Sequence, residues 1–219
     1  MDWLLLQLSD SAFPAGGFAH SGGLEAAWQQ GEISGAEQLN DFIRDSLWQA
    51  GRASLPLVSA AHANPESLRE LDELCDAFLT NHVANLASRT QGRAFISSCE
   101  KCFPLPEMLA LRQQARDQRL NYHHAPLFGA ALNRLDVARE KALEVFMFNC
   151  LRGVVSAAVR LNIAGPHQAQ QIQFLNFETC NCVLDACGNL ELEALTQTAP
   201  LIDLFQATHG RLYSRLFQS

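Results

Sequence analysis

Residues 137–162 carry the longest helical pattern in the chain, and its middle is apolar on nearly every face: Phe146, Met147, Phe148, Cys150, Leu151, Val154 and Val155. A helix of that kind needs cover on all sides. Its most apolar part, Val154 to Ile163, is broken by Ser156, Arg160 and Asn162. It is too short to cross about 30 Å of hydrocarbon, so no transmembrane segment is expected. The remaining segments must therefore wrap this helix. Asp136 stands where an N-cap belongs, and Gly165-Pro166 closes the pattern.

The wrapping elements are helices. Leu and Ala number 63, against 20 for Val, Ile and Thr together, a balance that favours helix over strand. No segment alternates with a period of two. Helical spacing predicts elements over about 23–30, 35–50 (interrupted by Gly51), 54–63, 67–79, 81–102, 107–119, 127–135, 137–162, 167–187, 189–195 and 200–206, with a last piece over 211–217. Breaks fall at Phe103-Pro104-Leu105-Pro106 and at the turn Asn121 to Pro126, because the residue before proline avoids α geometry. No repeat, low-complexity tract or long linker divides the 219 residues. The expected fold is all-α: one domain over residues 1–219, a bundle of roughly ten helices around the central apolar one.

Charge narrows the function. The net charge is −7, with 18% charged and 48% hydrophobic residues. An acidic chain is poorly suited to nucleic acid or to an anionic membrane. An apolar one with little polar surface to spare leaves area for protein partners to cover. The opening Met1-Asp2-Trp3 has no basic segment of a signal peptide. The seven cysteines then read as reduced thiols of a cytoplasmic protein.

Candidate chemistry is sparse. The run Phe13-Pro14-Ala15-Gly16-Gly17-Phe18-Ala19-His20-Ser21-Gly22-Gly23-Leu24-Glu25 has four glycines within eight residues, which suits a turn that brings backbone close to something. It lacks the Gly-Lys-Ser/Thr of a phosphate loop. His20 is a polar residue at the start of a helix or a ligand or base whose partner the sequence does not name. Cys99-x-x-Cys102 and Cys180-x-Cys182 with Cys187 lack regular zinc spacing and read more simply as buried fillers than as a metal site. Of His123 and His124, adjacent in sequence, at most one faces a given site. Arg89, Gly92 and Arg93 share helical spacing, and a glycine inside a helix signals close approach by another element or a partner. No catalytic constellation appears, and no cofactor is called for. The tail from Leu212 to Ser219 ends on Tyr213, Arg215, Leu216 and Phe217, residue types common in interface cores.

Taken together, the two ends carry a resemblance. The run from Leu5 through Asp10-Ser11, Phe13-Pro14, Gly16-Gly17-Phe18 and His20-Ser21 to Gly23-Leu24-Glu25 resembles the opening of the UreF family of urease accessory proteins. Ser88-Arg89-x-x-Gly92-x-Ala94-Phe95, His124-Ala125-Pro126-Leu127-Phe128-Gly129 and Arg160-Leu161 with Gly165-Pro166 are similar to its middle segments. Pro200-Leu201-Ile202-Asp203 through His209 to Phe217 is similar to its C-terminus. Gly22 stands where the family often has a polar or acidic residue. The resemblance implies an all-helical, non-enzymatic homodimer that binds UreD (UreH) and then the GTPase UreG, regulates it, and serves nickel delivery to urease apoprotein. It implies partner-binding or architectural roles for Phe13, Pro14, Gly16, Gly17, His20, Glu25, Arg89, Gly92, His124, Arg160, His209, Tyr213, Arg215, Leu216 and Phe217. A helical metal-binding protein using its cysteines or histidines is the alternative.

Overall fold

The computed structural model describes residues 2–218. They form α1 (Trp3–Leu8), α2 (Leu24–Gln29), α3 (Ala36–Ala53), α4 (Leu55–Ala63), α5 (Leu68–Phe78), α6 (His82–Cys102), α7 (Pro106–Asp117), α8 (His124–Arg134), α9 (Arg139–Arg160), α10 (Pro166–Leu175), α11 (Phe177–Cys187) and α12 (Pro200–Thr208). Short 3-10 turns lie at Gly17–Ala19, Pro65–Ser67, Leu192–Ala194 and His209–Arg211. No strand occurs among the described residues, so the fold is the expected all-α bundle.

Two helices make its centre. In α9 the side chains of Leu143, Phe146, Met147, Leu151 and Val155 are buried, and α1, α2, α3, α4, α8, α10 and α11 all pack on that helix. In α8 every residue from Ala125 to Leu132 is buried, with α4, α5, α6, α7 and α9 around it. The two share an aromatic cluster in which Phe95, His124, Phe128 and Phe146 have centroids 5.2–5.7 Å apart. By length and by a mean hydropathy of 1.5, α9 passes for a membrane span, yet half of that window is buried inside the protein. It is a core helix.

Several local expectations change. Asp136 does not cap α9; Ala138 does. Asp136 instead has φ +56°, its N–H donating to the Asn133 carbonyl while the Val137 N–H reaches the Leu132 carbonyl. That is a left-handed C-terminal cap for α8. Gly51 does not break α3. It lies where α11 crosses, and a Cβ there would strike the side chains of Val183 and Cys187. The 167–187 pattern splits at Asn176, whose amide donates to Asn40 Oδ1 (2.8 Å) and to the Ile172 carbonyl (3.0 Å). The short helix α1 was not expected, and Asp2 caps it through the N–H groups of Leu4 and Leu5. Residues 212–217 are not helical. Cover of α9 is also incomplete: Arg152, Gly153 and Ser156 lie along a face open to solvent.

Candidate functional site

The C-terminal tail has no helix because Glu25 supplies what a helix would. Glu25 sits in α2 between Leu24 and Ala26, all three fully buried. Its Oε1 accepts the N–H of Leu216 (2.6 Å), and its Oε2 accepts the N–H of Phe217 (3.2 Å) and a hydrogen bond from His209 Nε2 (3.0 Å). A buried carboxylate is tolerated only when it is bonded in this way. Gln29 Nε2 holds the Ser214 carbonyl (2.9 Å), and the Gln218 N–H reaches the Ala19 carbonyl (2.8 Å). The two ends of the chain are thus sewn together by main-chain groups of the tail.

Arg160, at the end of α9, completes the clasp. Its guanidinium lies between the rings of Phe18 and Phe217, 3.7 and 4.1 Å from their centroids, and donates to the Phe18 carbonyl. Two cation–π faces and one hydrogen bond fix the N-terminal turn, the central helix and the tail to one another. Gly16 permits the turn: φ is +81° and a Cβ would lie 2.8 Å from Ala94 Cβ on α6. Beneath it, Phe13 stacks with Phe103 at 5.9 Å, and Ser98 Oγ donates to the Pro14 carbonyl (2.7 Å). Burial and the nearby His209 lower the pKa of His20. The tail therefore divides. Phe217 is buried, while Tyr213, Arg215 and Leu216 face solvent; Arg215 and Leu216 lie with Trp28 and Ser214 around a shallow cavity of about 340 Å³.

The middle motifs form a second cluster, across α6. Gly92 is where the chain at Tyr122 crosses the helix: a Cβ would collide with the Tyr122 carbonyl oxygen. Arg89 Nε donates to the Asn121 carbonyl (3.3 Å), and the guanidiniums of Arg93 and Arg112 flank the Tyr122 ring. His123 is fully buried. Its N–H donates to Asp72 Oδ1 (2.7 Å), and its ring nitrogens meet Ser88 Oγ (3.1 Å) and Asp76 Oδ1 (3.0 Å). Burial pushes the Asp72 carboxyl up in pKa, against the pull of the His123 and Asn121 N–H groups. Hydrogen bonds from Asn85 and His123 pull Asp76 down. His124 points the other way, into the aromatic cluster, where desolvation lowers its pKa to about 4.

Asp72 and Asp76 were not singled out from sequence, and Ser88 entered only as part of the motif that carries the resemblance. The available signal was Asp72 itself, a carboxylate within the apolar stripe Leu68, Leu71 and Cys75 of α5. Of the cysteines, Cys75, Cys99, Cys180 and Cys187 are buried, Cys102 and Cys182 exposed. Desolvation raises the pKa of Cys150 to about 12 and that of Cys180 to about 11. Among the described residues no three His, Cys, Asp or Glu side chains are placed to hold a metal ion.

These features define a class: an all-α protein whose sequence motifs build a clasp between its ends and a buried crossing under its middle. Comparison with known proteins makes the class specific. The family model for UreF matches residues 33–175. "Urease accessory protein F" of Arabidopsis thaliana is 39% identical over 223 residues, covering 100% of this chain and 93% of the relative. The Oryza sativa subsp. indica protein of the same name is 36% identical over 219 residues, covering 98% and 84%. "Urease accessory protein UreF" of Trichodesmium erythraeum is 28% identical over 222 residues, covering 97% and 94%. The chain belongs to the UreF family of urease accessory proteins.

Proposed function

We propose that this chain is a docking protein in urease activation. It acts as a homodimer in the cytoplasm, binds a UreD/UreH-like accessory protein, and through that complex recruits and regulates a UreG-like GTPase that delivers nickel to urease apoprotein. Its contribution is positional, not catalytic. Family membership supports a role in urease maturation, and the observation that carries the docking role is the division of the tail. Glu25 grips the backbone at Leu216 and Phe217, so Tyr213, Arg215 and Leu216 stand outward on a fixed support. A pre-ordered aromatic–cationic patch binds without first paying the entropy of ordering a free tail. The partner residues proposed are those three together with the clasp that presents them: Phe13, Pro14, Gly16, Gly17, His20, Glu25, Arg160, His209 and Phe217. Arg89, Gly92 and His124 support the fold behind them.

Size-exclusion chromatography with light scattering tests this reading, on the chain alone and then mixed with the cognate UreD/UreH-like and UreG-like proteins. A dimer that grows into a defined larger complex is the expected result. A monomer that ignores both partners overturns it, and tight stoichiometric nickel binding by that monomer, lost in Cys99→Ser or Cys180→Ser, would establish the metal-binding alternative.

A further inference from the structure

Charge is unevenly spread along the chain. Residues 82–134 carry seven Lys and Arg against three Asp and Glu, in a chain whose totals are 16 and 23. The centre of that basic stretch is the turn at Tyr122. The guanidiniums of Arg93 on α6 and Arg112 on α7 lie 5.5 and 5.6 Å from the centroid of the Tyr122 ring. Arg116 follows Arg112 by one helical turn and shares its side of α7. Arg119 stands in the turn between α7 and Tyr122.

These cations are only partly answered. Arg112 meets Glu100 at 3.6 Å, and Arg89 feels the field of Asp76. Arg93, Arg116 and Arg119 are exposed and make no ion pair among the described residues. By contrast, Arg44, Arg69, Arg134 and Lys141 each meet a carboxylate. Like charges one helical turn apart destabilise the fold that holds them. The backbone adds to that cost. Tyr122 has φ +74° and Arg119 φ +55°, a region uncommon for residues other than glycine. Asp72 ties the turn down by accepting the N–H groups of Asn121 and His123. Arg89 ties it from α6 through the Asn121 carbonyl. Strain and like charge held in one tied segment point to a ligand that offsets them.

We infer that the Arg93, Arg112 and Arg116 face around Tyr122 is a second docking surface, which takes a carboxylate-rich surface segment of a protein partner. The inference rests on the docking role proposed above. It gives the protein two faces of different chemistry, an aromatic one at the tail and a cationic one across α6. Charge complementarity identifies the occupant. Guanidiniums receive carboxylates through paired N–H bonds, and a local basic field steers an acidic segment to them. A long polyanion is disfavoured, because acids outnumber bases in the rest of the chain and would repel it. Arg89 is a positioning residue, since its Nε is already committed to the Asn121 carbonyl.

The test compares the full-length protein with two double variants, Arg93→Glu with Arg116→Glu and Arg93→Lys with Arg116→Lys. A control, Arg44→Glu with Arg69→Glu, makes the same change in net charge elsewhere. Circular dichroism confirms that all are folded. Association with the purified UreD/UreH-like protein, UreG-like GTPase and urease apoprotein is followed by surface plasmon resonance. For one partner the parental rate should fall between about 0.01 and 0.1 M salt, as the screening length shortens from about 30 to about 10 Å. At the lower salt the Arg93→Glu, Arg116→Glu variant should associate with it about tenfold more slowly or worse. The lysine variant and the control should stay close to the parent. A carbodiimide then joins the introduced lysine amines to partner carboxylates, with loss of water. Mass spectrometry should place those adducts on a cluster of Asp and Glu in the same partner. A parental rate in the Arg93→Glu, Arg116→Glu variant overturns the patch and leaves the docking role standing. So does an equal slowing in the control, or a lysine variant whose adducts are absent or join only a second copy of this chain. A parent that associates with none of the three partners overturns both.

Discussion

Glu25 illustrates how one residue converts sequence into presentation. Its carboxylate is buried, and every oxygen has a donor from the far end of the chain. Glu25→Gln keeps the shape but weakens the charge-assisted bonds and places an amide NH2 against at least one N–H donor. The expected loss is about 1–3 kcal/mol of local stability, read as faster hydrogen exchange at the Leu216 and Phe217 amides with little change in the α8–α9 core. His124 makes a different prediction. Its ring stays neutral in the fold to about pH 4, against 6.5 for an ordinary histidine. Between those values the unfolded chain binds a proton that the folded chain does not. Stability attributable to this residue is therefore complete above about pH 6.5 and falls as the pH drops toward 4, by an amount on the order of 2–3 kcal/mol. Denaturant titrations across that range should show the decline, and His124→Phe should flatten it.

At the scale of elements, two glycines in long helices predict opposite outcomes. Gly92 lies under the Tyr122 carbonyl, whereas a Cβ at Gly153 meets nothing within 4 Å. Gly153→Ala should gain about 0.5–1 kcal/mol from helix propensity alone. Gly92→Ala gains the same propensity but forces the 121–123 segment off α6 and the His123 bonds out of line, for a net loss of about 1–3 kcal/mol. Thermal denaturation of the two variants side by side reads the difference. The same contrast marks what the sequence could express. Helical spacing placed α6, whose start the structure shows capped by Asn81 through the N–H groups of Val83 and Ala84, and it identified α9 as central. Residue type flagged Gly92, but not which segment crosses there. Gly51 looked like a break because propensity is local, while the crossing by α11 that keeps α3 whole is tertiary. Asp136 looked like the start of one helix and proved to be the end of another, since Asp suits an N-cap through its side chain and also tolerates the left-handed backbone of a C-terminal cap. Glu25 and Arg160 were picked out by resemblance, yet their meeting with the tail spans 191 residues in one case and no periodicity encodes it.

Across the whole molecule, the clasp and the exposed tail residues should separate genetically. Tyr213 and Arg215 make no hydrogen bond or ion pair among the described residues and stand in solvent. Replacing them therefore leaves the core and the Glu25 bonds as they are. The double variant Tyr213→Ala with Arg215→Ala should unfold within about 0.5 kcal/mol of the parent, as solvent-facing substitutions generally do, and should still protect the Leu216 and Phe217 amides. It should nevertheless fail to enter the larger complex with the UreD/UreH-like and UreG-like proteins. Deleting residues 212–219 removes the patch and the clasp's cargo together. That variant should keep its helical circular dichroism, because the tail meets α9 at Arg160, at the end of that helix, but Glu25 would lose both backbone donors and the α2 region should open more readily. A double variant that assembles normally would mean that the outward face of the tail is not a partner surface. A deletion that assembles normally would mean further that presentation by the clasp has no part in docking. The order of the two experiments thus distinguishes a tail that binds from a tail that only holds the N-terminal turn in place.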